Sequence, residues 1–87
     1  MDYTKNEDKY LYTTSFPLAC FLYSKGEQMS SPRELGRGQK EFTFFRTEKL
    51  DRLVDCYKFG LKEEKELFIN VRDYEQSRRE LLEILNN

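Results

Sequence analysis

The chain has 87 residues, 36% of them charged, and its 15 Lys and Arg set against 16 Asp and Glu leave a formal net charge of −1. That length allows one domain with a modest core, and that balance excludes a strongly basic nucleic-acid coat protein and an acidic disordered tail alike. There is no histidine, which removes Ser-His-Asp and Cys-His nucleophile pairs and the commonest general base near neutral pH.

Residues 1–8 are polar and read as a flexible leader, with no apolar stretch of the kind a secretory signal needs. Residues 9–87 read as a single α+β domain. Lys9 to Thr14 is rich in aromatic and β-branched residues and predicts a first strand. Ser15 is an N-cap and Pro17 falls in a first helical turn, where its missing N–H costs nothing. Phe16, Ala19, Cys20 and Tyr23 then trace one helical face. Lys25 favours the negative helix end, and Gly26 can adopt the left-handed conformation that stops it.

Glu27 to Ser31 predicts a weak second strand that ends near Pro32. Leu35 to Gln39 predicts a turn, and Lys40 to Arg46 predicts the clearest strand in the chain. Thr47 caps the next helix, in which Leu50, Leu53, Val54 and Tyr57 share a face, and Phe59-Gly60 ends it. A third helix is expected from Glu63 to Leu85, 23 residues and about 34 Å long at roughly 1.5 Å per residue. The order β-α-β-β-α-α implies a three-stranded, mostly antiparallel sheet in the order 1-3-2, packed on helices, with a long C-terminal helix.

Several of these signals, taken together, resemble a known family. They are Tyr12-Thr13-Thr14 leading into a helix with Leu18-Ala19 and Phe21-Leu22, then Lys25-Gly26, then the strand Phe42-Thr43-Phe44. A helix with Leu53-Val54 and Tyr57 follows, and Phe68-Ile69 and Arg72-Asp73 complete the pattern. Over most of its length the chain resembles a family of small bacterial and phage domains known only as a domain of unknown function. The resemblance implies no activity and supplies no functional residues.

The residues offer few catalytic or metal-binding patterns. Cys20 and Cys56 are far apart and read as reduced thiols. Structural zinc needs four Cys or His ligands. Glu48, Asp51 and Asp55 share one helix with Lys49 and Arg52 and read as a solvated charged face. Gly36-Arg37-Gly38-Gln39-Lys40 superficially looks like a phosphate loop, but Lys40 opens a strand rather than a helix. No enzymatic activity and no cofactor are expected.

Two surfaces stand out instead. Leu67, Val71, Tyr74, Arg78, Leu81 and Leu85 step by fours and threes, a heptad-like seam broken once by Arg78. An overhanging seam of this kind predicts self-association, so a non-enzymatic protein-interaction module, assembled as a dimer through Leu67, Val71, Tyr74, Leu81 and Leu85, is the leading expectation. The second reading is a small nucleic-acid-binding accessory protein. In it Arg33, Arg37, Lys40 and Arg46 of a basic hairpin contact phosphates and Phe45 stacks on a base. An inhibitor of a host protein, carried by a phage or mobile element, is a further alternative. No stretch of about 18 apolar residues exists, so no membrane span is expected, and a cytoplasmic location follows from that and from the missing signal.

Overall fold

The computed structural model of the protein describes residues 9–86; the expected leader, residues 1–8, lies outside the described residues. Strand β1 is Tyr10–Thr13, helix α1 Phe16–Ser24, strand β2 Arg33–Gly36 and strand β3 Gln39–Phe45. Helix α2 is Glu48–Phe59, a short 3₁₀ turn covers Lys65–Leu67, and helix α3 is Val71–Leu85. The sheet order is β1-β3-β2, with β3 antiparallel to both neighbours. β1 and β2 therefore run parallel with β3 between them, the split β-α-β arrangement. This is the expected α+β class and strand order.

The caps read from the sequence are in place. The Ser15 side chain accepts from the Leu18 N–H at 3.2 Å, and that of Thr47 accepts from the Leu50 N–H at 2.9 Å. Gly26 ends α1 at φ +91°, a conformation a Cβ disfavours. Gly60 ends α2 for a different reason. Its φ is −71°, which any residue adopts, but a Cβ there would stand 2.6 Å from the Cys56 carbonyl oxygen.

Strand alternation builds the core. Phe42 and Phe44 on β3, with Leu11 on β1, point to one face and pack against the helices. The expectation of a one-faced α1 is corrected: Leu18, Ala19, Cys20, Phe21 and Leu22 are all buried. The helix is enclosed by the sheet, α2 and α3, which explains an apolar sequence with little amphipathic contrast. On its far side the Tyr23 hydroxyl donates to Glu80 of α3 at 2.9 Å, and the Gln76 amide donates to the other Glu80 oxygen at 2.8 Å.

Two element boundaries differ from expectation. The expected second strand, Glu27 to Ser31, makes only an isolated bridge, and β2 lies further on, at Arg33–Gly36. Met29 bridges Phe44, the Ser30 N–H donates to Thr43 O at 2.9 Å, and the Phe45 N–H donates to Gln28 O at 3.0 Å. Pro32 has no N–H to continue the ladder, and regular pairing resumes one register on, at Arg33↔Glu41. Leu35 and Gly36, expected in the turn, belong to this strand, and its pairing shifts again between Glu34 and Gly36.

The larger correction concerns the last helix. It does not run from Glu63 but starts at Val71 and has 15 residues, about 22 Å. Asn70 is the cause: its side-chain oxygen accepts from the N–H groups of Arg72 at 2.9 Å and Asp73 at 3.2 Å. A capping side chain there satisfies two orphan donors and fixes a helix start. Phe68 and Asn70 are extended, at φ −80°, ψ 135° and φ −67°, ψ 127°.

Candidate interaction surfaces

The shortened helix takes apart the expected seam. Leu67 sits in the 3₁₀ turn rather than on α3, and with Tyr74 and Leu85 it packs against the protomer's own core. Leu81 is fully buried there. Only Val71, in the first turn of α3, is left well exposed among the five. The overhang thus disappears, because the segment that would have overhung is a 3₁₀ turn followed by extended backbone.

Other apolar side chains are exposed in its place. Phe59 is 80% exposed, Leu61 70%, Phe68 63% and Val71 73%. Their exposure follows from the turn that Gly60 and Asn70 impose between α2 and α3. The corner of α1 ties its ends together. The Phe21 ring lies 5.4 Å from that of Tyr57, and Lys25, 5.7 Å above Phe21, donates from Nζ to the Phe68 carbonyl at 2.8 Å. We call residues 57–71 the shoulder. From Tyr57 to Phe68 it carries Lys58, Lys62 and Lys65 against Glu63, Glu64 and Glu66, three charges of each sign. Phe68 falls within the helix expected from Glu63, which hides its exposure until the Asn70 cap is recognised, whereas Phe59 and Leu61 fall at the expected helix end and in the link after it.

At the edge of the shoulder, Cys56 Sγ and one carboxylate oxygen from each of Glu64 and Glu66 lie within 4.8 Å of one another. Desolvation, then the carboxylates of Glu66, Glu64 and Asp55, push the Cys56 thiol up, so it is a poorer nucleophile than an ordinary thiol. Three donors fall short of a four-ligand structural zinc site.

The second surface is the outer face of the sheet. Residues opposite one another in a ladder share a face. The pairs Tyr10↔Phe45, Tyr12↔Thr43 and Arg33↔Glu41 therefore all lie on the side away from Phe42 and Phe44. The Tyr10 ring centroid is 5.4 Å from that of Phe45 and 6.3 Å from that of Tyr12, tilted by 52° and 50°. Tyr12 is 37% exposed and Phe45 41%. The predicted stacking residue Phe45 is thus one of three rings, and the register that gathers them was not readable from the sequence.

The predicted phosphate contacts are distributed over both sides. Arg33 pairs with Glu41 at 2.6 Å on the outer face, while Lys40 pairs with Glu34 at 2.9 Å on the opposite one. Arg46 pairs with Asp51 of α2 at 3.1 Å. Arg37 occupies the hairpin tip at φ +55° and has no carboxylate partner among the described residues. Over residues 9–13 and 33–46, Lys9, Arg33, Arg37, Lys40 and Arg46 stand against Glu34 and Glu41, a balance of +3. With −1 for the whole chain, the remainder carries −4. On the outer face itself Arg33 and Glu41 offset one another, and Arg37 adds a positive charge at the hairpin tip.

These features define a small split β-α-β domain with its helices on one face, its aromatic sheet face open, and an apolar shoulder between its last two helices. The family model for a domain of unknown function, DUF5659, matches residues 8–85, and the chain belongs to that family. No curated protein and no solved structure matches it. No helix among the described residues is long and apolar enough to cross a membrane.

Proposed function

We propose that the protein is a non-enzymatic interaction module that forms a homodimer, and that the shoulder, including the first turn of α3, is the contact surface. The observation that carries this reading is the exposure of Phe59, Leu61, Phe68 and Val71 within one stretch of 13 residues. Concentrated apolar exposure of this kind marks interaction surfaces. The occupant favoured is a second copy. A two-fold interface sets a patch against itself, and a rim of equal positive and negative charge can pair with its own copy without net repulsion. Cys20 and Cys56 are free thiols, which suits a reducing compartment such as the cytoplasm.

Sedimentation equilibrium at tens of micromolar tests the proposal. A dimer is expected, and the double substitution Phe59→Ser, Leu61→Ser should weaken association at least tenfold while leaving the circular dichroism spectrum unchanged. A wild-type monomer at that concentration ends the reading. It would turn attention to a foreign protein on the same shoulder, as for an inhibitor of a host protein.

A further inference from the structure

We infer that the outer face of the sheet binds single-stranded nucleic acid, with Tyr10, Tyr12 and Phe45 as the platform on which successive bases stack. Three observations converge on that occupant. The first is placement. The helices pack on the Phe42 and Phe44 side, so the rings of β1 and β3 face outward on adjacent strands. In RNA-recognition modules, too, aromatic side chains on a sheet face stack two or three bases.

The second is ring geometry. The centroids are 5.4 and 6.3 Å apart and the planes are tilted by about 50°, so the rings do not cover one another in parallel stacks. A base presents a π-face whatever its identity, so such a platform is tolerant of sequence.

The third is charge. The strand segments carry +3 by sequence, but Lys40 lies on the other face and Arg46 is paired with Asp51, so the cations available to a phosphate backbone on this side are Arg33 and, at the hairpin tip, Arg37. Arg33 lies on the aromatic face and Arg37 at the hairpin tip, and these two are the phosphate contacts. The Arg33–Glu41 pair does not prevent this. The Arg33 side chain is 69% exposed, and an exposed ion pair contributes little that a phosphate contact would have to replace. An apolar protein partner would gain nothing from this charge, which is why a polyanion with stackable rings is favoured. This surface is separate from the shoulder, so the dimer proposal and this one fail independently.

The test uses the full chain and fluorescein-labelled single-stranded oligothymidylate and oligouridylate of about ten nucleotides, within the range one such domain covers. A duplex of equal length is the comparison. Anisotropy at low salt should show single-strand binding that exceeds duplex binding and weakens as salt rises. Tyr12→Ala and Phe45→Ala should each reduce it about tenfold, and Phe45→Tyr should restore it. Both side chains are partly exposed, and circular dichroism verifies that the variants fold. The DNA and RNA arms show which strand is preferred. Absence of binding at low salt overturns the inference. So does duplex binding at least as tight as single-strand binding, and so does single-strand affinity that ignores both alanine variants.

Discussion

The outer sheet face and the shoulder are both open and both carry aromatic rings, yet they arise in opposite ways. The sheet face is a by-product of order: strand alternation that buries Phe42 and Phe44 must turn Thr43 and Phe45 outward. The shoulder is a product of interruption. Gly60 stops one helix and Asn70 starts another, and between them Leu61 and Phe68 are left mostly exposed. The charges differ as well, +3 over the sheet segments and a balance of zero from Tyr57 to Phe68. An open surface therefore says little until its origin and its field are known. One of these suits a flat polyanion, the other a copy of itself.

The largest effect expected from a test of this contrast is in the core that separates the two regions. Leu81, on the inward face of α3, is fully buried. Leu81→Ala should lower unfolding free energy by about 2–5 kcal/mol, whereas exposed Val71→Ser should stay within roughly 0.5 kcal/mol. Urea titration of the two variants checks this. Similar losses for both would mean that Val71 belongs to the core and that the shoulder is smaller than described.

A middle-sized effect is expected at the cap. Asn70→Ala removes the acceptor for two N–H groups and should cost about 0.5–2 kcal/mol, again read by denaturant titration. Single-strand affinity should not change, because the cap and the three rings of the sheet face lie on different elements. A joint loss of stability and of strand binding would show the two regions to be coupled.

The smallest effect is pH-dependent. The Gln76 amide and then the Tyr23 hydroxyl hold Glu80 below the usual carboxylate range. The Glu80 carboxylate in turn raises the Tyr23 hydroxyl above its ordinary value. A lowered carboxylate contributes stability that is present above its unfolded pKa and lost as pH falls through its folded one; a raised phenol contributes below its unfolded pKa and loses it as pH rises through its folded one. The thermal midpoint should therefore fall slightly on both the acid and the strongly alkaline sides. Glu80→Gln should flatten both slopes. A variant with wild-type pH dependence would remove this contact from the forces joining α1 to α3.

Much of the fold was legible because local chemistry and tertiary packing agree. Ser15 and Thr47 are capping residues at real helix starts, and the alternation in Phe42-Thr43-Phe44-Phe45 matches a strand with one buried face. The strand order followed from the handedness of a short crossover. Asn70 was missed because Leu67, Val71 and Tyr74 keep helical spacing straight across it, so periodicity argued for continuity where a side-chain acceptor made a start. Pro32 was read as a strand end, although the chain resumes pairing one register further on. Tyr10 and Tyr12 could be placed on one face of β1, and Phe45 on the side of β3 away from Phe42. That these faces coincide depends on register, and register is settled by pairings between residues 29 to 35 positions apart in sequence.

Glycines often serve for their unusual backbone angles, but the one between Phe59 and Leu61 serves by occupying almost no room. Its conformation is open to every amino acid, and only the volume beside the Cys56 carbonyl forbids a larger one. The heading taken by the peptide as it leaves α2 is thus governed by a single absent methyl group. Drift at that codon alone would re-aim everything the loop presents, while leaving every side chain that does the presenting unchanged.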